Sequence, residues 1–131
     1  MSACKISVIG GGSFGTVIAN ITAENGHDVS FWMRSESQAA DLNRDHENAQ
    51  YLPGYSLSER LVATADMAAA VADSTLIFVA VPSSSFRQVV GDVMKHAAAD
   101  VILISTTKGI EAGSFMLMSQ ILMQEAPEAK V

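Results

Sequence analysis

The sequence predicts an α/β domain built on a doubly wound parallel sheet, and three observations predict it. Short apolar runs alternate along the chain with segments of helical period. Two of those runs, residues 75–81 and 101–105, are apolar almost throughout. They lack the in–out alternation of a half-exposed strand, so they read as strands covered on both faces. A glycine cluster, Gly10, Gly11, Gly12 and Gly15, separates the first apolar run from the first helical one. Parallel neighbours need crossovers, and right-handed helical crossovers supply them.

Residues 5–9 read as the first strand. In residues 14–25, Phe14, Val17, Ile18 and Ile21 have the i, i+3, i+4, i+7 spacing of a helix face. Gly26 stands where a helix ends in a left-handed residue. Residues 29–33 form a second strand, and residues 35–46 a polar-faced helix. Residues 47–60, with Asn, Pro, Gly and Ser, form a loop of about 14 residues, a length usually functional or mobile. Residues 61–64 read as a short strand, after which Asp66 caps a helix running through Ala72. Pro82 ends the strand 75–81, and residues 83–98 are helical. The strand 101–105 and a Met-rich helix, 114–125, complete five β-α units. No solenoid repeat or low-complexity segment is present. The chain stops in "PEAKV", where a sixth strand would be starting; the expectation is one domain, residues 1–131, from a longer protein.

Composition bounds the function. Hydrophobic residues make up 49% and charged ones 17%, which suits a globular core. The net charge of −6 argues against nucleic acid or an anionic membrane as partner, since both need a basic face. Cys4 is the one cysteine, so no disulfide can form within the chain; burial as an inert thiol is expected for it. Four glycines and Asn20 interrupt the apolar N-terminal region, which argues against a signal peptide. No stretch approaches the ~20 apolar residues of a membrane span. A cytoplasmic protein is expected.

The glycine cluster carries the functional reading. Gly10-x-Gly12-x-x-Gly15 follows a strand and opens a helix, the context that points to a dinucleotide-binding (Rossmann) turn. The first glycine permits a tight turn, the second lets the backbone approach a pyrophosphate, and the third lets helix and strand pack closely. The N–H groups and positive dipole end of the helix then face the phosphates, which is how an acidic protein binds an anion. Many such domains place a carboxylate about 20 residues further on for the ribose of NAD. Here that position is Arg34, nineteen residues after Gly15. A guanidinium suits the 2′-phosphate of NADP and argues against S-adenosylmethionine.

Two further loops follow strands at their carboxyl ends, where open α/β sheets bind ligands. In Val81-Pro82-Ser83-Ser84-Ser85 the serines fit either a helix cap or a ligand contact. In Thr106-Thr107-Lys108-Gly109 the lysine fits an exposed loop position or a phosphate or carboxamide contact. His27, His46 and His96 have neither metal-ligand nor triad spacing and read as surface residues. Met116, Met118, Met123, Phe14 and Phe86 read as core. No metal site and no nucleophile–base pair is evident.

The motifs "VIGGGSFGT", "NGHDVSFWMR", "NAQYLP", "FVAVPS" and "STTKGIE" occur in order and spacing that resemble bacterial-type NAD(P)-dependent glycerol-3-phosphate dehydrogenase. The resemblance runs from Lys5 to about Glu111. The glycine motif and "AVPS" are shared with ketopantoate reductase and 6-phosphogluconate dehydrogenase; "NAQYLP" with "TTKGIE" is more specific. The resemblance implies reduction of dihydroxyacetone phosphate to sn-glycerol 3-phosphate, usually with NADPH and with NAD as the other cofactor, feeding glycerophospholipid synthesis. It implies that Ser13 and Phe14 contact the cofactor at the pyrophosphate turn and that Arg34 sits by the adenosine phosphate. It places Tyr51 at the cofactor's border, Pro82 in the cofactor-binding set, and Lys108 between nicotinamide and substrate. It also implies a homodimer for the full-length protein. The family carries its general acid, a lysine, in a helical C-terminal substrate domain, and this chain stops before it. The expectation is therefore a cofactor-binding domain without a catalytic residue of its own. The alternatives are a ketopantoate reductase-like enzyme and a standalone nucleotide-binding module.

Overall fold

A computed structural model describes residues 4–131. The chain runs β1 (Lys5–Ile9), α1 (Ser13–Glu24), β2 (Asp28–Trp32), α2 (Glu36–Asp45), β3 (Leu61–Thr64), α3 (Met67–Val71), β4 (Leu76–Val79), α4 (Ser83–Met94), β5 (Ile102–Ser105) and α5 (Met118–Glu125). The five strands form one sheet in the order β3-β2-β1-β4-β5, every pair parallel. Strand order reverses between β1 and β4, the point where open sheets of this kind part to form a crevice.

Period-2 alternation distributes the strand side chains between two cores. Val8, Val29, Phe31, Leu61 and Ala63 pack with Ala19 and Ala23 of α1 and with Ala39 and Leu42 of α2. Ile9, Trp32, Ile77, Val79 and Leu103 pack on the other face with Val71 of α3, Phe86 and Val90 of α4, and Ile121 and Leu122 of α5. Helices therefore cover both faces, the doubly wound arrangement expected. Ser7, the polar residue of β1, is fully buried but bonded to the Ala70 carbonyl and to Ser74.

Local caps set the element ends. Ser35 accepts from the Gln38 N–H to start α2, and His46 ends it in the left-handed region. Asp66 accepts from the Ala68 and Ala69 N–H groups to start α3. Gly26, at φ +93°, follows the α1 cap as the sequence predicts. Lys130 makes a single parallel bridge to Ile102, the one trace of a sixth strand among the described residues.

Several expectations need correction. On α1 the buried residues are Gly15, Thr16, Ala19 and Ala23, whereas Phe14 is 63% and Ile21 53% exposed. The helix lies so close to the sheet that only small side chains fit beneath it, so its larger apolar residues turn outward. Met123 is likewise exposed; Met118 and Phe86 are buried as expected, and Met116 is partly so. Cys4 is exposed rather than buried, one residue before β1, with its N–H on His27 Nδ1. Strand β5 is covered on one face only at Ile102, because it lies at the sheet edge. Helix α4 ends at Met94 instead of Ala98, and α5 begins at Met118 instead of Ser114. His27 and His46 are half-buried, while His96 is exposed.

Candidate functional site

At the switch point, the turn after β1 faces the turn after β4, and each glycine of the motif has its own geometric reason. Gly10 has φ +123°, and a Cβ there would lie 2.2 Å from the Ala80 carbonyl oxygen. A Cβ on Gly15 would stand 2.1 Å from the Gly10 carbonyl oxygen, so helix and turn pack at backbone contact. Gly11 is closed in too, with Met33 Cβ 2.7 Å from its would-be Cβ. Gly12 differs: an added Cβ would meet no protein atom within 4 Å. Three glycines are thus demanded by the protein, and Gly12 borders open space.

That space is a cleft of about 480 Å³. Gly10, Gly12, Ser13, Phe14, Gly15, Arg34, Tyr51 and Pro82 all line it. A second cleft, of about 310 Å³, shares Phe14, Ala80, Val81 and Pro82 with the first and reaches Lys108. The nine residues singled out from sequence therefore fall on two adjoining clefts, with Lys108 in the second. Sequence reasoning missed Trp32, Met33 and Gln38 as lining residues; Gln38 carries no signal beyond its place on a predicted helix.

The turn is held by the long loop. Asn48, 2% exposed, donates through Nδ2 to the Gly11 carbonyl at 3.0 Å and to Thr16 Oγ1 at 2.8 Å. Gln38 Nε2 donates to the same carbonyl at 3.0 Å. Thr16 Oγ1 and its N–H both donate to the Gly12 carbonyl, at 2.7 and 3.0 Å. Ser13 Oγ donates to the Tyr51 carbonyl at 2.7 Å, tying the loop to the start of α1. Among the described residues, the N–H groups of Gly12 and Ser13 donate to no protein acceptor. Arg34 is exposed at the end of β2, its guanidinium carbon 5.8 Å from the Trp32 ring centroid. Unpartnered amides at a helix N-terminus, with two exposed cations nearby, form a donor set suited to an anionic dinucleotide.

The loop bearing Lys108 is anchored at both sides. Thr106 N–H donates to the Val79 carbonyl at 3.0 Å, and Thr107 Oγ1 to the Val81 carbonyl at 2.7 Å. Further on, Arg87 of α4 bridges Glu111 and Glu125, each at 2.7 Å. The Arg87 hydrogen bonds, helped by Ser114 Oγ, lower the Glu111 carboxyl to about 2. The two carboxylates in turn raise the Arg87 guanidinium above its ordinary value. The serines after β4 do not cap α4 by side chain; Pro82 occupies the cap, and Ser85 Oγ donates back to its carbonyl. Among the described residues, no group of three His, Cys, Asp or Glu is placed to hold a metal ion. No described helix is long and apolar enough to cross a membrane.

Comparison with known proteins places this geometry. The family model for the NAD-dependent glycerol-3-phosphate dehydrogenase N-terminus matches residues 5–131. The chain is 50% identical over 127 residues to a glycerol-3-phosphate dehydrogenase [NAD(P)+] of Teredinibacter turnerae, covering 97% of this chain and 37% of that one. A Saccharophagus degradans protein of the same name is 48% identical over 126 residues, covering 96% and 35%. Among solved structures, glycerol-3-phosphate dehydrogenase from Coxiella burnetii superposes with a TM-score of 0.90 at 28% identity, over 97% of this chain and 39% of that one. The yeast enzyme gives 0.86 at 30% identity, over 96% and 40%. The chain thus spans little more than a third of the curated relatives' length. These matches favour neither the ketopantoate reductase-like alternative nor a standalone module. With a Rossmann-like sheet, a glycine turn at its switch point and a match across nearly its whole length, the chain belongs to the N-terminal, NAD-binding domain family of glycerol-3-phosphate dehydrogenase.

Proposed function

We propose that this chain is the cofactor-binding part of an enzyme that interconverts dihydroxyacetone phosphate and sn-glycerol 3-phosphate, with NADPH preferred over NADH, in the cytoplasm and as a homodimer when full length. The observation that carries the reading is the open space at Gly12, bordered by N–H groups without protein acceptors. Gly10 and Gly15 build the turn, Gly12 leaves room for the pyrophosphate, and Ser13 and Phe14 border it. Arg34 meets the adenosine end and Tyr51 the rim. Pro82 and Lys108 stand on the nicotinamide side, where Lys108 also draws in the substrate phosphate. When bound, the nicotinamide supplies or takes up the hydride. This chain's residues bind and orient; Lys108 positions charge and is not assigned as proton donor.

Titration with the two cofactors tests the reading. NADPH is expected to bind more tightly than NADH, because a guanidinium pairs with the extra phosphate. Arg34→Asp is expected to narrow or reverse the preference. Equal binding of both cofactors by the unmodified chain would remove the role given to Arg34, and no binding of either would remove the whole reading.

A further inference from the structure

We propose that Asn48 is a positioning residue that aims the phosphate-binding amides of the glycine turn; the inference rests on the cofactor reading above. A trans peptide holds its carbonyl and the next N–H in one plane, pointing in opposite directions, and no cis bond occurs among the described residues. Fixing the Gly11 carbonyl therefore fixes the direction of the Gly12 N–H, and fixing the Gly12 carbonyl does the same for Ser13. Both carbonyls are fixed by side chains. Asn48 Nδ2 and Gln38 Nε2 occupy the Gly11 carbonyl, each at 3.0 Å. Thr16 Oγ1 occupies the Gly12 carbonyl at 2.7 Å and is itself oriented by Asn48 at 2.8 Å.

Asn48 is the shared member. One amide group, buried to 2% exposure, uses one N–H on the first carbonyl and the other on the hydroxyl that holds the second. Its own oxygen accepts from Gln38 at 3.3 Å, so the amide cannot turn over without losing all three bonds. Without these donors the Gly11 carbonyl can swing toward the cleft, where its negative end would repel a phosphate, and the Gly12 carbonyl is left with the Thr16 N–H alone. The turn has three glycines in succession, Gly10 to Gly12, so its backbone has the freedom to make that swing. Asn48 opens the "NAQYLP" motif and reaches the turn from 37 residues away. This gives the motif a task distinct from presenting Tyr51.

The test is cofactor affinity of Asn48→Ala, measured well below its melting midpoint so that lost stability does not enter. The expected result is an affinity loss of about tenfold, equal for NADPH and NADH because both carry the pyrophosphate. In amide NMR of the unmodified chain, the Gly12 and Ser13 signals are expected to move on NADPH addition, and in the variant to move much less. Unchanged affinity in the folded variant would overturn the proposal, as would a loss confined to one cofactor. Where Asn48→Ala does not fold, Gln38→Ala decides: an equal, several-fold weakening of both cofactors supports the proposal, and unchanged affinity overturns it. Failure of the unmodified chain to bind either cofactor overturns the cofactor reading instead.

Discussion

A methyl group added at Gly12 would meet no protein atom within 4 Å, whereas one added at Gly15 would stand 2.1 Å from a carbonyl oxygen. The two glycines of one motif should therefore fail in opposite ways. Gly12 lies in extended backbone, φ −79° and ψ −172°, which any residue adopts. Gly12→Val is expected to keep the melting midpoint within a few degrees of the parent and to lose the thermal shift produced by NADPH. Gly15→Ala is expected to destabilise by about 1–3 kcal/mol through overpacking, because the Gly10 carbonyl oxygen it would meet is backbone and cannot turn aside. Urea unfolding of both variants, with and without NADPH, checks the pair. A Gly12→Val chain still stabilised by NADPH would separate the open space from the ligand. At this scale the glycine spacing was readable because each position answers to a backbone distance. Asn48 was not, since its role depends on a contact made across 37 residues of chain.

Helix α1 shows where pattern reading inverts at the scale of an element. The large residues Phe14, Val17 and Ile21 follow an ideal helical face, yet they are 63%, 38% and 53% exposed. The close approach set by Gly15 selects Ala19 and Ala23 for the buried face. Apolar spacing alone does not encode the distance between helix and sheet. Element order and strand positions were legible because the parallel core makes each strand a short apolar block. Ends were less so, as at α4 and α5, where the loop from Thr106 to Leu117 is held by side-chain pairs and not by backbone period. Arg87 makes that loop pH-sensitive. Glu111 titrates at about 2 in the folded chain against an ordinary 4.5. The unfolded chain therefore binds more protons between those values, and stability rises with pH across that window. The contribution is complete above about pH 5 and disappears as pH falls toward 2. Melting midpoints followed from pH 6 to 2 are expected to fall less steeply in Glu111→Gln than in the parent. Parallel curves would assign the acid sensitivity elsewhere.

For the whole molecule, cofactor binding and turnover should separate. The cleft proposed for the dinucleotide lies within the described residues, so ligand binding there is expected to add stability by mass action, about 2.7 kcal/mol at 100 times Kd. Reduction of a ketone also needs a proton donor at the developing alkoxide. Around the two clefts the exposed cations are Arg34 and Lys108. Arg34 stands after β2, away from the second cleft. Lys108 stands on a loop tied by Thr106 and Thr107 to β4 and the turn after it, which suits it to hold a fixed charge at the cleft mouth. Phe14 and Lys108, which line the second cleft, are both exposed, so water reaches that cleft. The 131-residue chain is therefore expected to show an NADPH-dependent rise in melting midpoint and no measurable oxidation of NADPH by dihydroxyacetone phosphate. In a full-length protein carrying this domain, Lys108→Ala is expected to lower kcat/KM substantially while the unliganded melting midpoint stays put. Turnover by the chain alone would place a proton donor inside it and return Lys108 to candidacy. An unimpaired full-length Lys108→Ala enzyme would strip Lys108 of its positioning role while leaving the glycine turn's role intact.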